Sequence, residues 1–217
     1  MRFDTPEGPR DIAIRRAIVA GWTGRDRAAV DHHIAELAEI GVTPPSEVPL
    51  FYRVSAGLLT QAGEIQVLGP DTSGEVEPLV IHAEGQLWLG LASDHTDRAL
   101  EAVSVAASKQ ICAKPVASML WPFADLADHL DRLTLTCEIV EDGTPSRYQE
   151  GTLASILPLP DLIDRAGLKD GDAMLCGTLA AIGGVRPAGS YRMALHDPVE
   201  DRALHLSYTV ATLPEIA

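Results

Sequence analysis

Hydrophobic positions along this chain recur mainly every second residue and in short runs. The clearest case is Leu133, Leu135, Cys137 and Ile139 alternating with Thr134, Thr136, Glu138 and Val140, the period of a strand with one buried face. Similar signals predict strands over Ile12 to Gly21, Val48 to Val54, Glu64 to Leu68, Glu75 to His82 and Gln86 to Ala92. Ala83-Glu84-Gly85 between the last two reads as a hairpin turn. Further strands are expected through Tyr148 and Gln149, after the turn Asp142-Gly143, and over Ala173 to Cys176, Tyr191 to Leu195 and Leu204 to Val210. Helical spacing is scarcer. Arg25 to Ile40 places Ala29, His33, Leu37 and Ile40 on one stripe, with Gly41 as a stop. Short helices are expected over Asp97 to Ala107, over Phe123 to Leu133, and over Leu153 to Ala166 with interruptions at Pro158 and Pro160. Strands outweigh helices and do not alternate with them regularly, which predicts a β-rich α+β fold.

Composition narrows the function classes. Hydrophobic residues make up 46% and charged residues 22% of 217, the balance of a chain that builds a core. The expectation is a single domain over 1–217, or one domain with a small N-terminal lobe, with 1–45 as an N-terminal strand and helix and 46–217 as the β-rich core. A net charge of −14 with no basic cluster opposes phosphate backbones, so no nucleic-acid partner is expected. The start, Met1 to Arg10, lacks the apolar segment of a signal peptide, and no apolar run is long enough to span a bilayer. A cytoplasmic protein with no membrane partner is expected. Cys112, Cys137 and Cys176 are spread apart in apolar runs, which points to small core residues and away from disulfides or zinc.

Candidate chemistry centres on Glu75-Val76-Glu77 and Asp94. On an extended strand, Glu75 and Glu77 point to the same side, with Cα atoms roughly 7 Å apart. Two neighbouring carboxylates repel unless one is protonated or a cation lies between them. Asp94, just past the next strand, offers a third oxygen ligand, and such a set suits a hard ion such as Mg²⁺. E-x-E alone more often marks the solvated face of a strand, so the context decides. His33 and Glu36 form a second candidate, because three-residue spacing on a helix makes them neighbours, and a carboxylate beside an imidazole can orient it as a base. Alone, that pair also reads as an exposed pair of little consequence. His95 and His196 are set aside as surface or satisfied core residues. Phosphate-binding loops, G-x-S-x-G and H-E-x-x-H are absent from the sequence.

Taken in order, these pieces resemble the fumarylacetoacetate hydrolase superfamily, whose members cleave, decarboxylate, dehydrate or isomerise 2-oxo and β-diketo acids around a divalent metal. His33-Ile34-Ala35-Glu36-Leu37 resembles its H-x-x-E lid motif, and Pro49-Leu50-Phe51-Tyr52-Arg53 its P-x-F-x-K segment. Glu75-Val76-Glu77 resembles the E-x-E metal pair, and Ser93 to Arg98 the N-D-x-x-x-R motif. Lys109 follows a small residue, as a family lysine does, and Gly171 to Thr178 resembles G-D-x-x-x-x-G-T. Departures are Ser93 for Asn, Ala99 after Arg98, Arg53 for Lys, Leu179 for Pro, and a shorter interval from Glu77 to Asp94. They bear on substrate more than on metal.

The resemblance implies a mixed β-sandwich roll or pseudo-barrel with short peripheral helices. It implies Mg²⁺ or Mn²⁺, with Ca²⁺ admissible, on Glu75, Glu77 and Asp94. Lys109 would stand beside a developing oxyanion, Arg98, Gly177 and Thr178 beside the substrate, and His33, oriented by Glu36 on a lid helix, would be the base. Thr178 serves equally well as a turn cap. The expected activity is hydrolysis or lysis of a small anionic 2-oxo or β-diketo acid through a metal-stabilised enolate, in a homodimer. A non-catalytic metal- or ligand-binding protein of the same fold is the alternative. A metal-free binding module would require the three carboxylates to diverge in space.

Overall fold

The computed structural model describes residues 1–39, 43–141 and 143–216. Among these residues, eleven strands form two mixed sheets. They are β1 (Arg16–Gly21), β2 (Leu50–Val54), β3 (Glu64–Leu68), β4 (Val76–Ala83), β5 (Gln86–Ser93), β6 (Trp121–Pro122), β7 (Thr134–Glu141), β8 (Thr144–Thr152), β9 (Asp172–Leu175), β10 (Ser190–Asp197) and β11 (Arg202–Leu213). The six-stranded sheet runs β6-β5-β4-β9-β1-β2 and the five-stranded sheet β8-β7-β10-β11-β3. Parallel pairing occurs at β9–β1 and β11–β3. The remaining neighbours in both sheets are antiparallel.

The alternation read from the sequence becomes layering. Val76, Val80, Ile18, Ala20 and Met174 of the first sheet share a core with Leu135, Cys137, Ile139, Tyr191, Met193, Leu195 and Tyr208 of the second. The intervening residues Leu79, Ile81, Ala17, Val19, Ala173 and Leu175 face the other way. There they pack against Phe3, Ile12, Val116 and Leu120 from the N-terminal segment and the loop before β6. The first sheet is therefore buried on both faces, and its strands read as continuous apolar runs. The second has a wet face and keeps a strict alternation.

Among the described residues, four short α-helices lie outside the sheets: α1 (Arg27–Glu39), α2 (Arg98–Glu101), α3 (Val105–Gln110) and α4 (Leu159–Ala166). The segment expected to be one helix over Asp97 to Ala107 is split, because Asp97 caps α2 through the Leu100 amide and Ser104 caps α3 through the Ala107 amide. Phe123 to Leu133 forms two 3₁₀ turns in place of a helix. Leu153 to Ala166 divides at Pro158, which lacks an N–H, into a 3₁₀ turn and α4. The first predicted strand starts at Arg16 and not at Ile12, since Arg10–Asp11 instead pairs with Arg2–Phe3.

Helix α1 differs most from its sequence reading. Asp26 caps it through the amides of Ala28 and Ala29. Its half-buried stripe is Val30 and Ile34, while Ala29 and His33 are exposed. None of its described side chains is buried. Ile40 and Gly41, expected to end the stripe and the helix, lie outside the described residues, as do the side chain of Leu37 and the Asp142 half of the expected turn. All three cysteines are buried and free, as their apolar settings predict.

Candidate metal centre

The hairpin of β4 and β5 brings the acidic groups together. Its two-residue turn, Glu84-Gly85, takes positive φ values of 55° and 77°, the geometry that matches strand twist in tight hairpins. That turn fixes a register in which Val76 faces Ser93. One step further, Glu75 lies opposite Asp94, and the Asp94 amide donates to the Glu75 carbonyl at 3.0 Å. Opposed residues share a face, as do Glu75 and Glu77. One oxygen from each of Glu75, Glu77 and Asp94 lies within 4.8 Å of the other two. The Glu77 residue is 2% and Asp94 0% exposed, and the Glu75 side chain keeps 16%.

Three cations surround this cluster. The Lys109 ammonium, delivered by α3, donates to Asp94 Oδ2. Lys114, fully buried, donates to the His95 carbonyl and lies 3.1 Å from Asp94 Oδ1, outside hydrogen-bonding alignment. That oxygen is left buried without a donor. Arg98, on α2, lies 3.3 Å from Glu75 Oε1, and it donates to Ser73 Oγ at 2.6 Å and to Glu101 at 2.8 Å.

The charges shape one another. Burial pushes the Glu77 carboxyl well above the ordinary range, Asp94 adds to the push, and Lys109 and the Gly177 amide oppose it. Glu75 moves the same way through burial, against Arg98 and Lys109. Burial also acts upward on Asp94, but Lys109 and Lys114 outweigh it and hold this carboxyl far below the usual range. Burial acts downward on Lys109, and Asp94 and Glu75 outweigh it, so the ammonium persists. The cluster therefore joins one firmly ionised carboxylate to two reluctant ones.

Glycines make the close approaches possible. The Gly177 amide donates to Glu77 Oε2 at 2.7 Å, and its φ of +101° is a conformation that residues with side chains rarely adopt. A Cβ there would clash with Thr23 Oγ1, and one at Gly74 with Tyr208 Oη. The Thr178 hydroxyl donates to the Val76 carbonyl at 2.7 Å and accepts from Gln149 Nε2 at 2.8 Å. It is thus engaged in holding the E-x-E backbone.

Several supporting residues were not found from sequence. Gln149, from β8 of the second sheet, accepts from the Val76 amide at 2.9 Å and donates to the Leu179 carbonyl at 2.6 Å. Tyr208, from β11, shares hydrogen bonds with Ser93 Oγ at 2.8 Å and His95 Nδ1 at 3.1 Å, and His95 Nε2 meets Thr72 Oγ1 at 2.9 Å. His95 is thus a satisfied core residue, its pKa pushed down to about 3 by burial and by Lys114 and Arg98. Only the polar character of Gln149 inside a strand pattern hinted at a role. Lys114 and Tyr208 gave no local signal.

His33 and Glu36 are not joined to the carboxylates by any bond among the described residues. Their side chains are 61% and 58% exposed, 3.5 Å apart, and Glu36 also lies 3.3 Å from His32 Nε2. A relay of contacts nevertheless leads from α1 to the cluster. The His33 ring sits 6.1 Å from the Trp22 ring, Trp22 Nε1 donates to Tyr52 Oη at 3.2 Å, and Lys109 Nζ lies 5.8 Å from the centre of the Tyr52 ring.

The donor set fits a hard divalent cation. All its ligand atoms are carboxylate oxygens, the buried Asp94 Oδ1 has no donor, and Glu77 spends one oxygen on Gly177, leaving the other.

The fold is that of the fumarylacetoacetate hydrolase-like proteins. A protein from Oleispira antarctica described as a candidate fumarylacetoacetate isomerase/hydrolase superposes with a TM-score of 0.73 at 19% identity, covering 97% of this chain and 100% of that one. A 2-keto-3-deoxy-D-arabinonate dehydratase complexed with magnesium and 2,5-dioxopentanoate gives 0.65 at 13% identity, covering 94% of this chain and 75% of the other. Maleylpyruvate hydrolase from Sphingobium sp. SYK-6 gives 0.62 at 15% identity, over 91% and 71%. No curated protein matches the chain. The family described as "Protein of unknown function (DUF2848)" matches residues 20–208, nearly the whole length, and the chain therefore belongs to the DUF2848 family.

Proposed function

We propose that this protein is a divalent-metal-dependent enzyme of the hydrolase or lyase type, acting on a small anionic 2-oxo or β-diketo acid. The observation that carries this reading is the convergence of Glu75, Glu77 and Asp94 within 4.8 Å in a buried setting. Burying three carboxylates together is costly unless positive charge compensates them. The structural likeness to a dehydratase complexed with magnesium and a dioxo acid, and to maleylpyruvate hydrolase, supports the substrate class.

Glu75, Glu77 and Asp94 would hold Mg²⁺ or Mn²⁺. A bound cation of that kind supplies Lewis-acid polarisation of a carbonyl oxygen. The chain's own residues do the rest. Lys109, fixed by Asp94 and held charged, places a preorganised ammonium where negative charge develops on substrate oxygen. Arg98, held by Ser73 and Glu101, sets its Nη2 3.3 Å from Glu75 and would offset that carboxylate's charge beside an anionic substrate. Gly177 sets the orientation of Glu77, and Thr178 and Gln149 lock the strand that carries it. His33, with Glu36 beside it, would take or return the proton, reaching the site when α1 folds over it.

Calorimetric titration of Mg²⁺ and Mn²⁺ into chelator-treated protein tests the reading. Saturable binding to wild type and none to Glu77→Ala is expected. Absence of binding to wild type, with or without oxalate, would overturn it.

A further inference from the structure

We propose that Trp22 and Tyr52 form the recognition wall for the non-reacting end of the substrate, and that this end is flat and conjugated or aromatic; the inference rests on the 2-oxo acid reading above. Leu79 pairs with Leu175, Leu175 with Val19, and Gly21 with Leu50. Extending the first two pairings by two residues sets Glu77, Gly177, Gly21 and Leu50 in one row across the first sheet. The middle places belong to glycines. Neighbouring side chains lean into the space a Cβ would occupy, Thr23 at Gly177 and the Tyr52 ring at Gly21, where its Cε2 lies 2.8 Å from the position a Cβ would take. Larger residues in that row would keep Tyr52 away from the carboxylate end of the sheet.

Tyr52 reaches the charged cluster, because Lys109 Nζ lies 5.8 Å from its ring centre and bonds to Asp94. Trp22 reaches it by two routes, through its Nε1 bond to Tyr52 Oη at 3.2 Å and through Thr23, which packs on the glycine that donates to Glu77. The Trp22 backbone is held at φ 60°. A bulky residue in the left-handed region is a costly exception that surrounding structure must enforce, and such exceptions concentrate at ligand sites. Trp22 is half-exposed, bonded to Tyr52 and 6.1 Å from the ring of the exposed His33. Two partly exposed rings joined edge to edge beside a buried ammonium and a carboxylate trio offer a flat apolar substituent a stacking surface, with the oxo-acid end directed at the charges.

Trp22 is also its own reporter. The other tryptophans, Trp88 and Trp121, are 0% and 4% exposed, so quenching by a ligand reads Trp22. Magnesium-loaded protein is titrated with oxalate, 4-methyl-2-oxopentanoate and phenylpyruvate, following heat and tryptophan fluorescence. The expected result is binding of all three, with phenylpyruvate about tenfold tighter than the aliphatic acid and alone quenching strongly. Trp22→Leu and, separately, Tyr52→Leu should remove the tenfold preference and leave oxalate affinity unchanged. Thermal melting checks that each variant is folded, and the second serves if the first is not. Equal affinity for the aromatic and aliphatic acids, or equal losses for all three ligands in a folded variant, would overturn the wall while leaving the metal-site reading intact. Failure of oxalate to bind wild type would overturn both.

Discussion

Asp94 and His33 each come from a short charged motif, yet the protein surrounds them in opposite ways. Asp94 is fully buried, bonded to Lys109, approached by Lys114, and fixed through its neighbours Ser93 and His95 to Tyr208 of the second sheet. His33 stands on a helix with no buried described side chain, 3.5 Å from one carboxylate and 6.1 Å from one ring. Both sheets must be in place to hold Asp94, whereas His33 stands on one helix whose link toward the site, among the described residues, runs through Trp22. A charged cluster built this way is preorganised, and its order is part of the fold. An exposed helix carries residues that can move without disturbing the core. On the proposed reading, binding and proton transfer fall to regions of very different burial.

The comparison breaks most directly at Asp94. Asp94→Ala leaves two buried ammonium groups without their shared partner, and a loss of up to about 5 kcal/mol in denaturant unfolding is expected. A loss below about 1 kcal/mol would mean that the lysines find other partners and that the cluster is not a structural unit. The support behind it is tested by acid. His95 is held near 3 against an ordinary 6.5, so the folded protein keeps it neutral while the unfolded chain binds a proton below about 6.5. Its contribution is complete above that value and is lost as pH falls from 6.5 toward 3, by on the order of 4 kcal/mol at the acid end. A His95→Gln variant should show a flatter stability profile over that window, and an unchanged slope would remove His95 from the account.

Metal affinity sharpens the contrast next. Glu77 and Glu75 are displaced upward and Asp94 downward, so a cation must displace any proton held on Glu77 or Glu75 and none from Asp94. Affinity for Mg²⁺ should rise with pH above the ordinary carboxylate range, by up to about tenfold per unit until Glu77 is ionised. Calorimetry in buffers of different ionisation enthalpy should count the released proton. The smallest effect belongs to α1. His33→Ala and Glu36→Ala should change stability by less than about 0.5 kcal/mol and leave metal affinity as it is. A larger change in melting or binding would show that α1 packs on the cluster in solution and would erase the distinction drawn here.

Much of the fold was legible because strand periodicity is local. Glu64–Leu68 matched its predicted span, and the β4–β5 hairpin, with its turn at Glu84 and Gly85, matched to within a residue at each end. The helices were less legible. Caps at Asp97 and Ser104 split one predicted segment, and the stripe on α1 proved to be Val30 and Ile34, since four-residue spacing fitted both that pair and the Ala29–His33 pair. His33 and Glu36 were identified as neighbours, and neighbours they are, but the sequence held no information on what they face.

The amino-acid order by itself determined that Glu75 and Glu77 share one side of a strand and that Asp94 follows the next strand, and the two-residue turn seen at Glu84-Gly85 then sets the register that brings the three to one place. Only the tertiary structure decided that this place is buried, that Lys109 and Lys114 compensate it, and that Gln149, Tyr208 and Thr23 support it. Those partners are chosen across long stretches of chain by the packing of two sheets. Periodicity tells each strand which face to bury, and leaves open which strand it will bury that face against.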